Sequence, residues 1–147
     1  MSDPRNTIAS LIVGAYHTAG QAGQASQKPY PWTEHLEKVK ASDSKSLIGE
    51  LEAAIKAKDQ TQVSAIVHRY GELRHSERPV LDLLLKYAIS EDGALHAEKY
   101  YRTVCEEFVA TRPAFRWRHL VALARVTASE YGFPAPGYAE ACQLLKV

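Results

Sequence analysis

The sequence contains only two cysteines, Cys105 and Cys142, in 147 residues. That is too few for a disulfide framework or a four-thiolate zinc site, and the two lie too far apart in sequence to form a CxxC redox pair. It also lacks an excess of charge of either sign: Lys and Arg total 18 against 17 Asp and Glu, a formal net charge of +1. Nucleic-acid-binding domains carry a basic surplus, so no nucleic-acid partner is expected. No apolar run approaches the roughly 20 residues that a membrane helix needs, so no membrane span is expected. The apolar stretch from Thr7 to Tyr16 has no basic segment before it and does not read as a secretory signal. Missing as well are GxSxG, a P-loop, a GxGxxG before a helix, and HExxH, which removes the commonest hydrolase, nucleotide-binding and zinc-protease signatures. What remains is the expectation of a soluble, cytoplasmic protein.

The composition that is present, 46% hydrophobic and 24% charged, is that of an ordinary globular chain, and the length sets one compact domain over residues 1–147. Apolar residues recur with helical period and no stretch alternates convincingly as a strand would, which predicts an all-α bundle of five to seven helices. Asn6 or Thr7 caps a first helix to about Gly20, with Ile8, Leu11, Ile12, Ala15 and Ala19 on one stripe. Small polar residues and two prolines make 21–33 a flexible loop, its end pinned to the core by Tyr30 and Trp32. A short helix from Thr33 to about Lys40 follows. Ser44 or Ser46 starts the next, and Asp59 separates it from another in an antiparallel hairpin. Ser76 and Pro79 open a long helix near 78–110, with Gly93 in its middle as a place where it can bend. Arg112-Pro113 opens a further helix that stops at Gly132, and a last one spans about Gly137 to Leu145.

Two polar constellations stand out. His68, Glu72 and His75 fall within about 60° of one another on a helix, and Glu72-x-x-His75 has the spacing of carboxylate-bridged di-iron bundles. They are candidate metal ligands, although their helical phase sets them roughly 100° from Val63, Val67 and Tyr70, on a solvated flank. The second set is Asp92 and His96. Counted from Leu81 along the long helix, both fall within the stripe of Leu81, Leu85, Ala88 and Ile89, with Tyr100 one turn further on. An acid and an imidazole directed at a core need partners. His119, sharing a face with Leu123 and Val126, is positioned by phase to meet them. Asp92, His96, Tyr100 and His119 are therefore either a hydrogen-bonded staple between two helices or a ligand-binding or cofactor-binding site. Arg112, Arg116, Arg118 and Arg125 make the adjoining helix locally basic, as a solvated face or as a surface for an anion or acidic partner. Cys105 reads as a small packed hydrophobe.

The stretch from Tyr70 to Arg102, and above all Glu91-Asp-Gly-Ala-Leu-His96, resembles the helical module near the C-termini of certain bacterial Rieske-type [2Fe–2S] proteins. It is similar, more distantly, to helical oxygenases of the questin-oxidase type. The resemblance implies a helical fold and a role for Asp92 and His96. It does not extend to the cluster, because the paired Cys-x-His and Cys-x-x-His segments are absent. Neither likeness supplies an activity.

Three functions fit these residues. One is an accessory or interaction module without catalysis, acting with a protein partner or as a homo-oligomer. The alternative is a metal- or haem-dependent oxidoreductase, with Asp92, His96 and His119, joined by His68 or His75, holding iron or another transition metal such as manganese or zinc. A third is a small-molecule carrier or metal-free proton-transfer enzyme, with Asp92 and His96 as the polar end of an apolar pocket and the loop from Gln21 to Trp32 as its lid.

Overall fold

A computed structural model describes residues 3–21, 23, 28–90, 96–134 and 137–146, and the regular structure among them is entirely helical. The helices are α1 (Pro4–Gln21), α2 (Thr33–Leu36), α3 (Ser44–Lys56), α4 (Gln60–Glu72), α5 (Arg78–Ala88), α6 (Ala97–Ala110), α7 (Arg116–Glu130) and α8 (Tyr138–Leu145). This is the all-α bundle that the periodicity predicts, with eight described helices in place of five to seven because the span expected as one long helix is divided.

Local chemistry sets the starts and stops. Asp43 caps α3, its carboxylate accepting from the Ser46 amide at 2.9 Å, just ahead of the serines expected in that role. Asp59 caps α4 by accepting from the amides of Thr61 and Gln62 at 3.1 and 2.9 Å. These amides hold both carboxyls below the usual aspartate range. Lys58, with φ of 57°, reverses the chain between the two helices, giving the expected hairpin. Pro79 sits in the first turn of α5, and the Ser76 hydroxyl accepts from the Arg78 amide at 3.3 Å.

The core is organised around α4. Five consecutive residues, Val63 to Val67, are buried together with Tyr70, so the middle of this helix is enclosed by its neighbours α2, α3 and α7 while its two ends keep a partly exposed flank. Ser64 is accommodated there because its hydroxyl donates to the Thr61 carbonyl at 2.7 Å. Leu120, Val121, Leu123, Ala124 and Ala128 form the buried face of α7, and α6 closes over it through Phe108, whose ring meets Trp117 edge-on at 5.9 Å.

The expected continuous helix over 78–110 is two helices. α5 ends at Ala88 with Ile89 as its C-cap (φ −107°, ψ 5°), and α6 starts after His96. The anticipated bend at Gly93 lies outside the described residues. The face of α5 also differs from the one counted in the sequence. Val80, Leu83, Leu84 and Tyr87 are buried, Leu81 and Leu85 are half-buried, and Ile89 is 69% exposed. α5 is apolar over more than one face, and the core lies against Val80, Leu83, Leu84 and Tyr87 in place of the Leu81–Leu85 stripe.

α1 runs the full length expected of the first helix, but every side chain described from Pro4 to Gly20 is exposed. Of the loop expected over 21–33, Gln21 belongs to α1, Thr33 begins α2, and 22 and 24–27 lie outside the described residues. Tyr30 and Trp32 do fix the end of this segment. Their rings stack at 5.1 Å, Trp32 stacks on His35 at 5.4 Å, and the Arg125 guanidinium of α7 lies 3.9 Å from the Tyr30 ring centre.

Candidate functional site

The trio His68, Glu72 and His75 does not converge. His68 Nε2 and a Glu72 oxygen are 3.3 Å apart on the half-exposed flank of α4, where Arg69 also approaches Glu72 at 3.6 Å. α4 ends at Glu72, and Arg74 turns left-handed with φ of 57°, which takes His75 off the helical phase on which the trio depended. His75 instead donates from Nε2 to the Ser42 carbonyl at 2.8 Å, and its ring lies 4.8 Å from that of Tyr70. It fastens the segment before α3 to the end of α4. Among the described residues, no three His, Cys, Asp or Glu side chains come together as a metal ion would require.

The second set is divided as well. Asp92 lies outside the described residues. His96 is exposed at the N-cap of α6, edge-on to Tyr100 at 6.4 Å. His119, on α7, meets the other end of that helix, where its Nε2 and the hydroxyl of the C-cap Thr111 are 2.9 Å apart. The 14 residues of α6 lie between them, a span of about 20 Å at the rise of an α-helix. His96 and His119 therefore cannot share a ligand. Tyr100 does line an apolar cleft between α5, α6 and α7, with Tyr87, Leu123, Val126 and Tyr131, but its interior of about 10 Å³ has room for about one water. Ligand pockets are far larger.

The basic helix is likewise dispersed. Arg125 is committed to Tyr30, and Arg116 donates from Nε to the Thr111 carbonyl at 3.0 Å. Only Arg112 and Arg118 remain together, at 5.6 and 5.0 Å from the ring centre of the half-exposed Phe115.

Three other groups have displaced ionisation, and all are structural: Arg78, held above the usual arginine range by its bond to Asp82, Glu52 and Tyr101. Glu52 accepts from Lys86 Nζ at 2.8 Å and from the Tyr87 hydroxyl at 3.3 Å, with Lys56 Nζ at 3.2 Å. The hydrogen bond from Lys86, followed by that from Lys56, lowers its carboxyl to about 2. Burial, reinforced by the Cys105 thiol, pushes the Tyr101 hydroxyl up to about 12.

The feature with the strongest functional content is α1. Ile8, Leu11, Ile12, Val13 and Tyr16 are 54–78% exposed, and no Asp, Glu, Lys or Arg occurs between Arg5 and Lys28. An exposed helix normally presents a charged face to water. The stripe was legible in the sequence, but its lack of cover was not; the missing charges were the available signal.

No protein-family model matches the chain. No curated protein and no solved structure matches it either. The Glu91–Leu95 core of the likeness to the Rieske-associated module lies outside the described residues, and that likeness rests on sequence alone.

Proposed function

We propose that this protein is an interaction module that uses α1 as its docking helix for another protein chain. The observation that carries the proposal is that α1 exposes a contiguous apolar stripe which the bundle leaves open. Contiguous apolar patches of this kind mark interaction sites on soluble proteins. An amphipathic helix laid against a complementary apolar surface is a recurrent mode of recognition, read through anchors at i, i+3, i+4 and i+7. Ile8, Leu11, Ile12 and Ala15 have that spacing. The divided imidazoles favour this function over cofactor chemistry, because the residues proposed as ligands lie on different elements with different partners.

The test is recovery of the tagged full-length protein from its source cells, beside a Leu11→Asp/Ile12→Asp variant. A protein chain, either a second copy or another polypeptide, should be retained by the wild type and lost from the variant, with the helical circular dichroism of the bundle preserved. Equal retention by both proteins, or retention by neither, overturns the proposal.

A further inference from the structure

We infer that the chain covering α1 is a second copy of this protein, paired with it antiparallel. The inference rests on α1 being a docking helix and adds the identity of the occupant. Ile8, Ile12, Ala15 and Ala19 follow one another at spacings of four, three and four residues, the repeat of a coiled-coil seam. Both large seam residues lie in the N-terminal half and both small ones in the C-terminal half. Related by a two-fold axis between Val13 and Gly14, two copies place Ile8 opposite Ala19 and Ile12 opposite Ala15. The flanks follow the same rule, with Leu11 beside Thr18 and Tyr16 beside Ala9 of the other copy.

Each layer thus combines one large and one small side chain, which keeps the separation of the two helices constant along the seam. A parallel pair would stack isoleucine on isoleucine at one end and alanine on alanine at the other. It would be forced to the wide spacing of the first and leave a void at the second. Antiparallel helices also bring opposite dipole ends together. Charge permits self-pairing, because the seam from Ile8 to Ala19 contains no Asp, Glu, Lys or Arg that would meet its own like.

The area is sufficient for a reversible dimer. Ile8, Leu11, Ile12 and Tyr16 are 58, 69, 64 and 78% exposed. At roughly 100 Å² of apolar surface per large side chain, each copy contributes on the order of 500 Å² with the intervening alanines, and the pair about 1,000 Å². That is the lower edge of specific interfaces, the size of weak and transient associations, so a reversible dimer is expected. A membrane surface is a weaker match. Helices that lie on lipid are commonly rich in Lys or Arg along the polar face, whereas here the face away from the seam carries Asn6, Thr7, Ser10, Val13, Gly14 and His17 and no Lys or Arg.

Light scattering coupled to size exclusion, over concentrations up to about 100 µM, tests the pairing in the full chain. The wild type should pass from monomer to dimer. Ile12→Asp should remain monomeric with unchanged melting, since α1 does not contribute to the core. Ala15→Ile should weaken the dimer about tenfold or more by setting isoleucine against Ile12, and Ile12→Ala/Ala15→Ile should restore it to within about threefold, because the volumes are then only exchanged.

A tighter dimer in Ala15→Ile would show parallel pairing and overturn the inference. So would a dimer indifferent to Ile12→Asp, or a monomer at every concentration. Sedimentation with vesicles of neutral and anionic phospholipid gives a further arm. Binding by a monomeric wild type that Ile12→Asp abolishes would assign the helix to lipid. If the wild type is monomeric but the Leu11→Asp/Ile12→Asp variant loses a different co-purifying protein, self-pairing fails while the docking function stands.

Discussion

The indole of Trp117 lies directly on the backbone of Gly71, so that a β-carbon at position 71 would overlap its ring. This contact brings the start of α7 against the end of α4. It also sets Trp117 between the rings of Tyr70 and Phe108, each 5.9 Å away. Gly71→Ala should therefore destabilise the protein by about 1–3 kcal/mol despite the better helix propensity of alanine. Gly49, in α3, has nothing within 4 Å of the same added atom. Gly49→Ala should be stabilising by about 0.5–1 kcal/mol. Thermal melts of the two variants should move in opposite directions.

The lowered carboxyl of Glu52 predicts acid sensitivity. Its pKa falls from 4.5 in the unfolded chain to about 2 in the folded one. The stabilisation is then complete above the unfolded value and disappears as pH falls from about 5 towards 2. Glu52 is 30% exposed, so solvent screening reduces its worth to about 1 kcal/mol. Urea unfolding at pH 7 and at pH 2.5 should show that Glu52→Gln costs this amount at the higher pH and only a minor part of it at the lower, where the folded carboxyl approaches its own pKa. Raised salt should shrink the difference.

Tyr70 is 1% exposed, and its hydroxyl lies 2.7 Å from that of Ser44. Tyr70→Phe should cost about 1 kcal/mol by leaving Ser44 without that partner, while the ring packing on His75 and Trp117 is retained. Equilibrium unfolding by denaturant measures it. A cost near zero would mean that the hydroxyl pair contributes nothing to stability.

His96 and His119 should respond differently to removal. His119→Leu loses the bond to Thr111 and should lower stability by about 1 kcal/mol. His96→Leu, at an exposed N-cap without a side-chain capping bond, should stay within about 0.5 kcal/mol of the wild type. Comparison of their melting temperatures tests the separation of the two residues directly.

Much of the bundle was legible because its boundaries are written in strong local chemistry. Asp59 and Pro79 act where their side chains predict, and the hairpin of α3 and α4 follows from the short joint at Lys58 and Asp59. The polar site was not legible, because its derivation required helical phase to be carried further than the helix itself. Ile89 leaves helical geometry, and His96 acquires no fixed orientation from Leu81. His75 likewise leaves the register of His68, because a helix end lies between them and Arg74 marks it with its left-handed backbone. His119, on the face of Leu123 and Val126, sits at the edge of the buried arc of α7, so phase fixes its face but not its partner. The contact of Arg125 with Tyr30 joins residues far apart in sequence, and nothing local to either position indicates it.

That last contact has a mechanical consequence. With the Arg125 guanidinium seated on the Tyr30 ring and Trp32 and His35 stacked behind it, the chain is moored to α7 at the base of its N-terminal arm. Tension applied to α1 is delivered to α7 at this mooring before it reaches the short helix α2, and Arg125→Met would let the arm slip its anchorage without removing a residue from the hydrophobic interior.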